Sequence, residues 1–405
     1  MTAAAAYSSA DLEARQAYGR LVAFLAARSG DLAAAEDALG DALLAALERW
    51  PADGVPSNPA AWLLTVARRR AIDGTRKHLR AEAAQAELVR MHDEAEAAMS
   101  EERPFPDDRL GLMLACAHPA VDPAARTPLM LQAVLGLSAE RMASAFLTSP
   151  AAMTKRLVRA KAKLAASGVP FTIPGREALA ERMKPLLEAV YAAFTLAQDD
   201  EGDPALRHEA LWLGRLLVEL APDEPEAAGL LSLMLFVIAR PATAAGAEFV
   251  PLSRQDPRGW NEELMHEAEA LLRSAGELGQ PGRYQLEAAV QAVHSARRSS
   301  GFTDWTAVLT LYHRLLQVAP TVGAQVAFAA ALAQSGDPTE ALAALDVLDP
   351  PRIAAYQPYW ATRAFVLAAL DRRTEAGNAY MRASGLTEDG AVRAWLLAQR
   401  AALAN

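Results

Sequence analysis

Basic side chains are concentrated in residues 61–80, which hold six Lys or Arg and a single Asp, a local net charge of +5 in a chain of formal net charge −9. The stretch predicts a helix. At about 100° per residue, Trp62, Arg69, Arg76 and Arg80 fall on one side of it. This concentration against the overall balance indicates a polyanionic partner, and we expect nucleic acid. The alternative is a solvated basic helix face that Trp62 anchors in a core.

A second basic segment lies within 137–167, where Ser138 and Ser149 are predicted N-caps of two short helices. The second helix has apolar residues at spacings i, i+4, i+7 and i+11, namely Met153, Leu157, Ala160 and Leu164. Basic residues occupy its opposite side. The pair predicts a helix-turn-helix whose second helix enters a major groove. The candidates for base contact are Thr154, Lys155 and Arg159, and those for phosphate contact are Arg156, Lys161 and Lys163.

Acidic residues mark the helix predicted over Leu32–Trp50, which Asp31 is expected to cap. Asp37 and Asp41 are one turn apart, so they share a face and can pair with basic side chains of a partner helix. An ordinary exposed acidic stripe is the alternative.

The composition predicts an all-α fold. Of the 405 residues, 52% are hydrophobic and 22% charged, which is typical of a well-packed globular protein. Alternating β-branched runs are absent, and Ala and Leu are abundant. The single cysteine, Cys116, excludes an intramolecular disulfide framework. The sequence has no recognisable signal peptide, membrane span, catalytic constellation or metal motif, so we expect a cytoplasmic, non-enzymatic protein without a cofactor.

Charge and repeats divide the chain. Residues 1–80 carry a net +1, residues 81–108 carry −7, residues 109–174 carry +6 and residues 175–405 carry −9. We therefore predict a first module over 10–80, an acidic linker over 81–108, a second module over 109–168 and a helical domain over 175–405. In that last domain Thr339-Glu340-Ala341 recurs as Thr374-Glu375-Ala376, and a 35-residue period is close to that of tetratricopeptide repeats.

The first module resembles region two of bacterial sigma factors of the extracytoplasmic-function type. The resemblance rests on Trp62-Leu63, Val66-Ala67-Arg68, Ala71-Ile72-Asp73 and Arg76-Lys77. It implies recognition of the minus-ten promoter element by Asn58, Trp62, Arg69, Asp73, Arg76, Lys77 and Arg80. Arg69 stands where the commonest family pattern has Asn, so the base preference at that position does not carry over. The resemblance also implies a loop over Pro51–Pro59 that captures an unstacked base.

Three further resemblances extend this identification. The segment Ala35-Glu36-Asp37-Ala38 is similar to the family's contact with the β′ clamp helices of RNA polymerase, which implies core binding through Asp37, Asp41 and Leu44. The segments Leu137–Ala143 and Ala152–Lys161 resemble region four, which recognises the minus-thirty-five element and is expected to meet the β flap. The part from Pro170 onward resembles the C-terminal extension of one branch of these factors, including Gly282–Ala289 and Thr303–Trp305.

These features predict a sigma subunit whose partners are core RNA polymerase and promoter DNA. The C-terminal domain is expected either to dock on the basic modules or to bind another regulatory protein; no membrane partner is expected. Two other interpretations of the sequence stay open. One is a stand-alone helix-turn-helix repressor with a repeat-type sensor domain, and the other is a tetratricopeptide scaffold whose basic helices serve protein contacts only.

Overall fold

The computed structural model of the chain describes residues 17–76, 108–146, 148–172, 176–198, 203–240 and 248–403. Every regular element in these ranges is a helix, which confirms the predicted all-α class. The chain forms two compact units, Met1–Ala193 and Phe194–Asn405.

The first unit contains eight helices within the described ranges. They are α1 (17–29), α2 (Leu32–Asp53), α3 (Pro59–Arg76), α4 (Arg109–Cys116), α5 (Pro123–Leu135), α6 (Ala139–Ala145), α7 (Pro150–Ala166) and α8 (Arg176–Leu196), of which α8 ends three residues beyond the unit.

The predicted caps of these helices are confirmed. Asp31 accepts hydrogen bonds from the backbone N–H groups of Ala33 and Ala34. Ser138 accepts one from the N–H of Arg141 and Ser149 one from the N–H of Ala152. Each side chain satisfies donors that the first turn of a helix leaves unpaired, which is why these helices begin where they do.

The loop predicted from Pro51 is shorter than expected, because α2 continues through Pro51 to Asp53. Proline lacks an N–H and its ring crowds the carbonyl four residues earlier, but in the last turn of a helix this disruption is local, so the turn can retain it. The helix stops at Gly54, whose φ of 88° lies in the left-handed region and whose N–H donates to the carbonyl of Trp50. The connection to α3 is therefore limited to 54–58.

Two close backbone approaches join the helices of the first unit. A Cβ on Gly19 of α1 would overlap the carbonyl oxygen of Val134 in α5. A Cβ on Gly111 of α4 would lie 2.7 Å from the carbonyl oxygen of Phe171. Glycine allows both contacts, since any side chain at either position would force the backbones apart.

The second unit consists of α9 (Pro204–Leu220), α10 (Pro225–Ile238), α11 (Glu262–Glu277), α12 (Arg283–Ser300), α13 (Trp305–Val318), α14 (Val322–Ser335), α15 (Pro338–Asp346), α16 (Pro350–Ile353), α17 (Gln357–Ala369), α18 (Arg373–Gly385) and α19 (Gly390–Ala402). Helix α14 packs on α15, and α17 packs on α18.

The repeated sequence corresponds to repeated structure. Helix α15 begins at Pro338 and α18 at Arg373, an offset of 35 residues, and the equivalent Ala341 and Ala376 are both fully buried. The two hairpins therefore repeat in both spacing and packing.

The unit boundary lies later than the predicted domain start at residue 175. Helix α8 belongs almost wholly to the first unit, and its buried Arg182 donates a hydrogen bond to the carbonyl of Leu114 in α4, at 2.9 Å. That carbonyl is in the last turn of α4, where the helix itself offers no donor.

Candidate nucleic-acid interface

Helix α2 presents an acidic and apolar stripe to solvent. Asp37, Asp41 and Leu44 are all exposed, and Leu44 leaves 61% of its surface accessible. At about 100° per residue the three lie within some 60° of each other around the helix axis. The opposite face of α2 is buried, through residues such as Leu39 and Trp50. A large exposed leucine beside two carboxylates is suited to bind a partner helix with apolar and basic side chains.

Helix α3 is held against α2 by an aromatic pair. The rings of Trp62 and Trp50 meet edge to face with centroids 5.4 Å apart. Trp62 is half-buried there, so it presents only part of its ring to a partner. Asn58 stays exposed, and its side-chain oxygen accepts from the N–H of Ala61, at 3.1 Å. Asn58 thus acts as the N-cap of α3. Its side-chain NH2 group remains as a hydrogen-bond donor to a base.

The consecutive arginines of α3 point in different directions. Arg69 and Arg70 are exposed, whereas Arg68 is buried, with its guanidinium 4.8 Å from the ring centroid of Phe24. Arg68 is therefore a packing residue of the α1–α3 contact, a cation-π arrangement that local sequence does not reveal. The backbone of α3 includes Asp73 and Arg76, whose side chains lie outside the described part of the structure, as do Lys77 and Arg80 altogether.

Helix α7 has the two faces that the sequence predicts. Met153, Leu157, Ala160 and Leu164 are its buried residues, which confirms the apolar stripe. Lys155, Arg159 and Lys163 are exposed on the other side, and Arg156 lies beside them, partly buried, with a long 3.5 Å hydrogen bond to the carbonyl of Ala124. The exposed cations form a continuous basic band along the helix.

A second exposed strip on α7 is small and apolar. Thr154 donates its hydroxyl proton to the carbonyl of Pro150, at 2.9 Å, so its methyl group is the part left for a partner. Val158, one turn further on, is 62% exposed. No sequence motif marks Val158; its position between Lys155 and Arg159, off the buried stripe, is the signal that identifies it.

Lys161 differs from the other lysines of α7. Its Nζ forms an ion pair with Oε2 of Glu36 in α2, and the two side chains are only 16% and 14% exposed. The Lys161 ammonium, predicted to contact a phosphate, is thus paired with the Glu36 carboxylate of the same chain.

The described residues contain no group of three or more His, Cys, Asp or Glu that could hold a metal ion. Across the same ranges, no helix is both long and apolar enough to cross a membrane.

Comparison with known proteins finds two family models that match parts of the chain. The family model described as sigma-70 region 2 matches residues 14–81, which include α1, α2 and α3. A family of unknown function, DUF6596, matches residues 182–276. No solved structure matches the chain.

A full-length relative extends the comparison beyond the first module. An uncharacterized protein of Rhizobium meliloti (strain 1021) is 35% identical over 395 residues, covering 95% of this chain and 92% of its own length. The chain belongs to one family with this relative, and the sigma-70 region 2 match over residues 14–81 supports its membership of the sigma-70 family.

Proposed function

We propose that this protein is a sigma subunit of the extracytoplasmic-function type, which directs core RNA polymerase to specific promoters. The observation that carries the proposal is the exposed stripe of Asp37, Asp41 and Leu44 on α2, within the segment that matches sigma-70 region 2. Buried apolar residues fix the other face of that helix, so the stripe is preorganised for a partner. In this proposal it contacts the clamp helices of the β′ subunit.

The minus-ten element is then bound along α3. Arg69 and Arg70 are exposed beside the half-buried Trp62, so cations and part of an aromatic ring lie on one helix. This combination suits a melted strand, because cations neutralise phosphates while a ring edge can contact an unstacked base. Asp73, Arg76, Lys77 and Arg80 extend the proposed contact along the sequence.

The minus-thirty-five element is bound by the α6–α7 pair acting as a helix-turn-helix, with the β flap as its polymerase contact. Lys155, Arg156, Arg159 and Lys163 supply the cations. The Thr154 methyl and Val158 add an apolar strip of the kind that distinguishes thymine by its C5-methyl group. Base discrimination on α7 is therefore divided between polar contacts from Lys155 and Arg159 and methyl contacts from Thr154 and Val158.

The second unit serves as a tetratricopeptide-like domain that regulates the sigma modules or binds a protein. Support comes from the 35-residue offset between α15 and α18 and from the equivalent buried positions of Ala341 and Ala376. Stacked hairpins of this kind present extended surfaces to other chains. The chain as a whole performs no chemistry of its own and acts in the cytoplasm with polymerase.

Run-off transcription by purified core polymerase on a promoter library tests the proposal with the full chain. We expect initiation at a defined class of promoters, lowered at least tenfold by Asp37→Ala/Asp41→Ala/Leu44→Ala. Arg49→Ala is the matched control, because Arg49 is exposed on α2 about 80° or more around the axis from each residue of the stripe. Equal transcription by the triple variant and the wild type would contradict the assignment of the polymerase contact to this stripe.

A chain that starts no transcription above core alone contradicts the sigma function. Duplex binding without polymerase would then favour the repressor alternative, and the absence of salt-dependent DNA binding would favour the scaffold alternative.

A further inference from the structure

The ion pair between Lys161 and Glu36 joins the proposed DNA-reading helix to the proposed polymerase-binding helix. Glu36 is on α2, next to Asp37, and Lys161 is on α7 between Arg159 and Lys163, 125 positions further along the chain. Both side chains are mostly removed from solvent. The two functional helices are therefore in direct contact in this structure, through the charged groups of both.

The surroundings of the pair are poorly suited to charge. Cys116 is fully buried beside both residues, and Tyr18 lies near Glu36. Burial raises the pKa of the Glu36 carboxyl, while Lys161 and its hydrogen bond lower it. The Oε1 atom of Glu36 is buried and accepts no hydrogen bond from any described residue. A buried, incompletely satisfied ion pair contributes little to stability, yet the removal of either partner leaves an uncompensated charge.

The proposed function requires this contact to break. The minus-ten and minus-thirty-five elements are about 25 base pairs apart, which at 3.4 Å per base pair is roughly 85 Å of duplex. Helix α3 packs on α2, so while α7 stays in contact with α2, α3 and α7 cannot occupy the two elements at once. The 32 residues between Arg76 and Arg109 can span at most about 110 Å, so the modules can separate while they remain joined.

We propose that the Glu36–Lys161 ion pair is an autoinhibitory latch, in which the carboxylate of Glu36 holds Lys161 in place of a DNA phosphate. This inference rests on the proposed sigma function. In the closed form, α7 lies on α2 and Lys161 is neutralised within the chain. In the open form, Glu36 is hydrated, and Lys161 exchanges the carboxylate for the phosphate backbone of the minus-thirty-five element.

The physical chemistry of a buried pair gives two variants with opposite effects. Glu36→Gln leaves the Lys161 ammonium buried without its counter-ion, so it should favour the open form roughly tenfold or more. The double variant Glu36→Met/Lys161→Met replaces the pair with apolar side chains of similar volume, which favours the closed form. Lys163→Met is the matched control, since it removes an exposed lysine from the same helix.

Energy transfer between dyes on Arg49→Cys in α2 and Ala166→Cys in α7 reports the separation in the full chain, because the native Cys116 is buried. We expect high transfer in the free wild type and low transfer once core polymerase and promoter are added. Free Glu36→Gln should already show reduced transfer, with more initiation at limiting sigma concentration. The double Met variant should keep high transfer and initiate at least tenfold less than Lys163→Met, because each has lost one proposed phosphate-contacting lysine of α7 but only the double Met variant is held closed.

Circular dichroism establishes that each variant is folded. The latch would be overturned if free Glu36→Gln shows the same transfer as free Lys163→Met and if polymerase and promoter lower the transfer equally in the double Met variant and in Lys163→Met, even if all forms support transcription. The latch would also be overturned if the wild type initiates transcription without any fall in energy transfer. Failure of the unlabelled wild type to initiate at all would instead count against the proposed function, so the two failures are distinguishable.

Discussion

The indole rings of Trp50 and Trp62 meet edge to face, with centroids 5.4 Å apart and an interplanar angle of 63°. Trp50 is in the last turns of α2 and Trp62 in the first turn of α3, so the pair fixes the angle at which the chain turns from one helix to the next. Because α2 carries the proposed polymerase contact and α3 the proposed DNA contact, this aromatic pair sets their relative position.

Trp50→Ala is expected to destabilise the first unit by about 3–5 kcal/mol, because it removes a buried indole and leaves a cavity. Chemical denaturation followed by circular dichroism measures the change. Arg49→Ala, an exposed neighbour, should change the unfolding free energy by less than about 0.5 kcal/mol. A loss of under 1 kcal/mol for Trp50→Ala would mean that the pair does not organise the turn.

Two glycines in the same unit should respond oppositely to alanine. A Cβ at Gly19 would overlap the Val134 carbonyl, so Gly19→Ala must separate α1 from α5 and lower the melting temperature. Gly40 is inside α2, and a Cβ added there would meet open space. Gly40→Ala should therefore raise the unfolding free energy by about 0.5–1 kcal/mol through helix propensity. Calorimetry of the two variants beside the wild type decides the point, and a stabilising Gly19→Ala would contradict the described packing.

Local patterns predicted much of this fold from sequence. Asp31 and Ser149 begin their helices because a cap needs only a side-chain oxygen and the next few N–H groups, all within four residues. The buried stripe of α7 follows equally from the 3.6-residue period.

Other features depend on partners far away in the chain, and local patterns do not specify them. Lys161 belongs by periodicity to a basic face, and only the folded chain places Glu36 beside it. Arg68 and Arg69 are adjacent arginines of the same helix, yet only Arg68 is buried, with its guanidinium facing the Phe24 ring. Long side chains at the edge of a helix face can turn either way, so tertiary contacts decide their direction.

The hydrogen bond from Arg182 to the Leu114 carbonyl joins α8 to α4 within the first unit. Arg182→Met keeps most of the packing but leaves that buried carbonyl without its donor, so we expect a loss of about 1.5–3 kcal/mol in the unfolding free energy of the first unit. Lys184→Met, an exposed change two residues away, is the control. Urea titrations of the full chain distinguish the two, and equal midpoints would show that α8 docks without this bond.

A partly buried histidine should make the second unit sensitive to acid. Burial, together with the charges of Arg297 and Arg240, lowers the pKa of His294 to about 4. Below pH of about 6.5 the unfolded chain binds a proton that the folded chain does not, so stability falls as the pH drops towards 4, by up to roughly 3 kcal/mol. His294→Phe should flatten this dependence, whereas the exposed His266→Gln should not. Parallel pH profiles for His294→Phe and the wild type would assign the acid sensitivity to other groups.

The exposure of Val158 leads to a prediction about base recognition. In the proposed function its side chain contacts a thymine methyl, so uracil at that thymine of the selected minus-thirty-five element should weaken polymerase-dependent binding by roughly 3–10-fold. In Val158→Ala the same uracil substitution should have almost no further effect, because the methyl has already lost its partner. Ala162→Gly on the same exposed face serves as the control and should keep the full uracil effect. If every thymine-to-uracil substitution affects Val158→Ala and the wild type equally, then Val158 makes no methyl contact, and discrimination on α7 depends on Lys155 and Arg159.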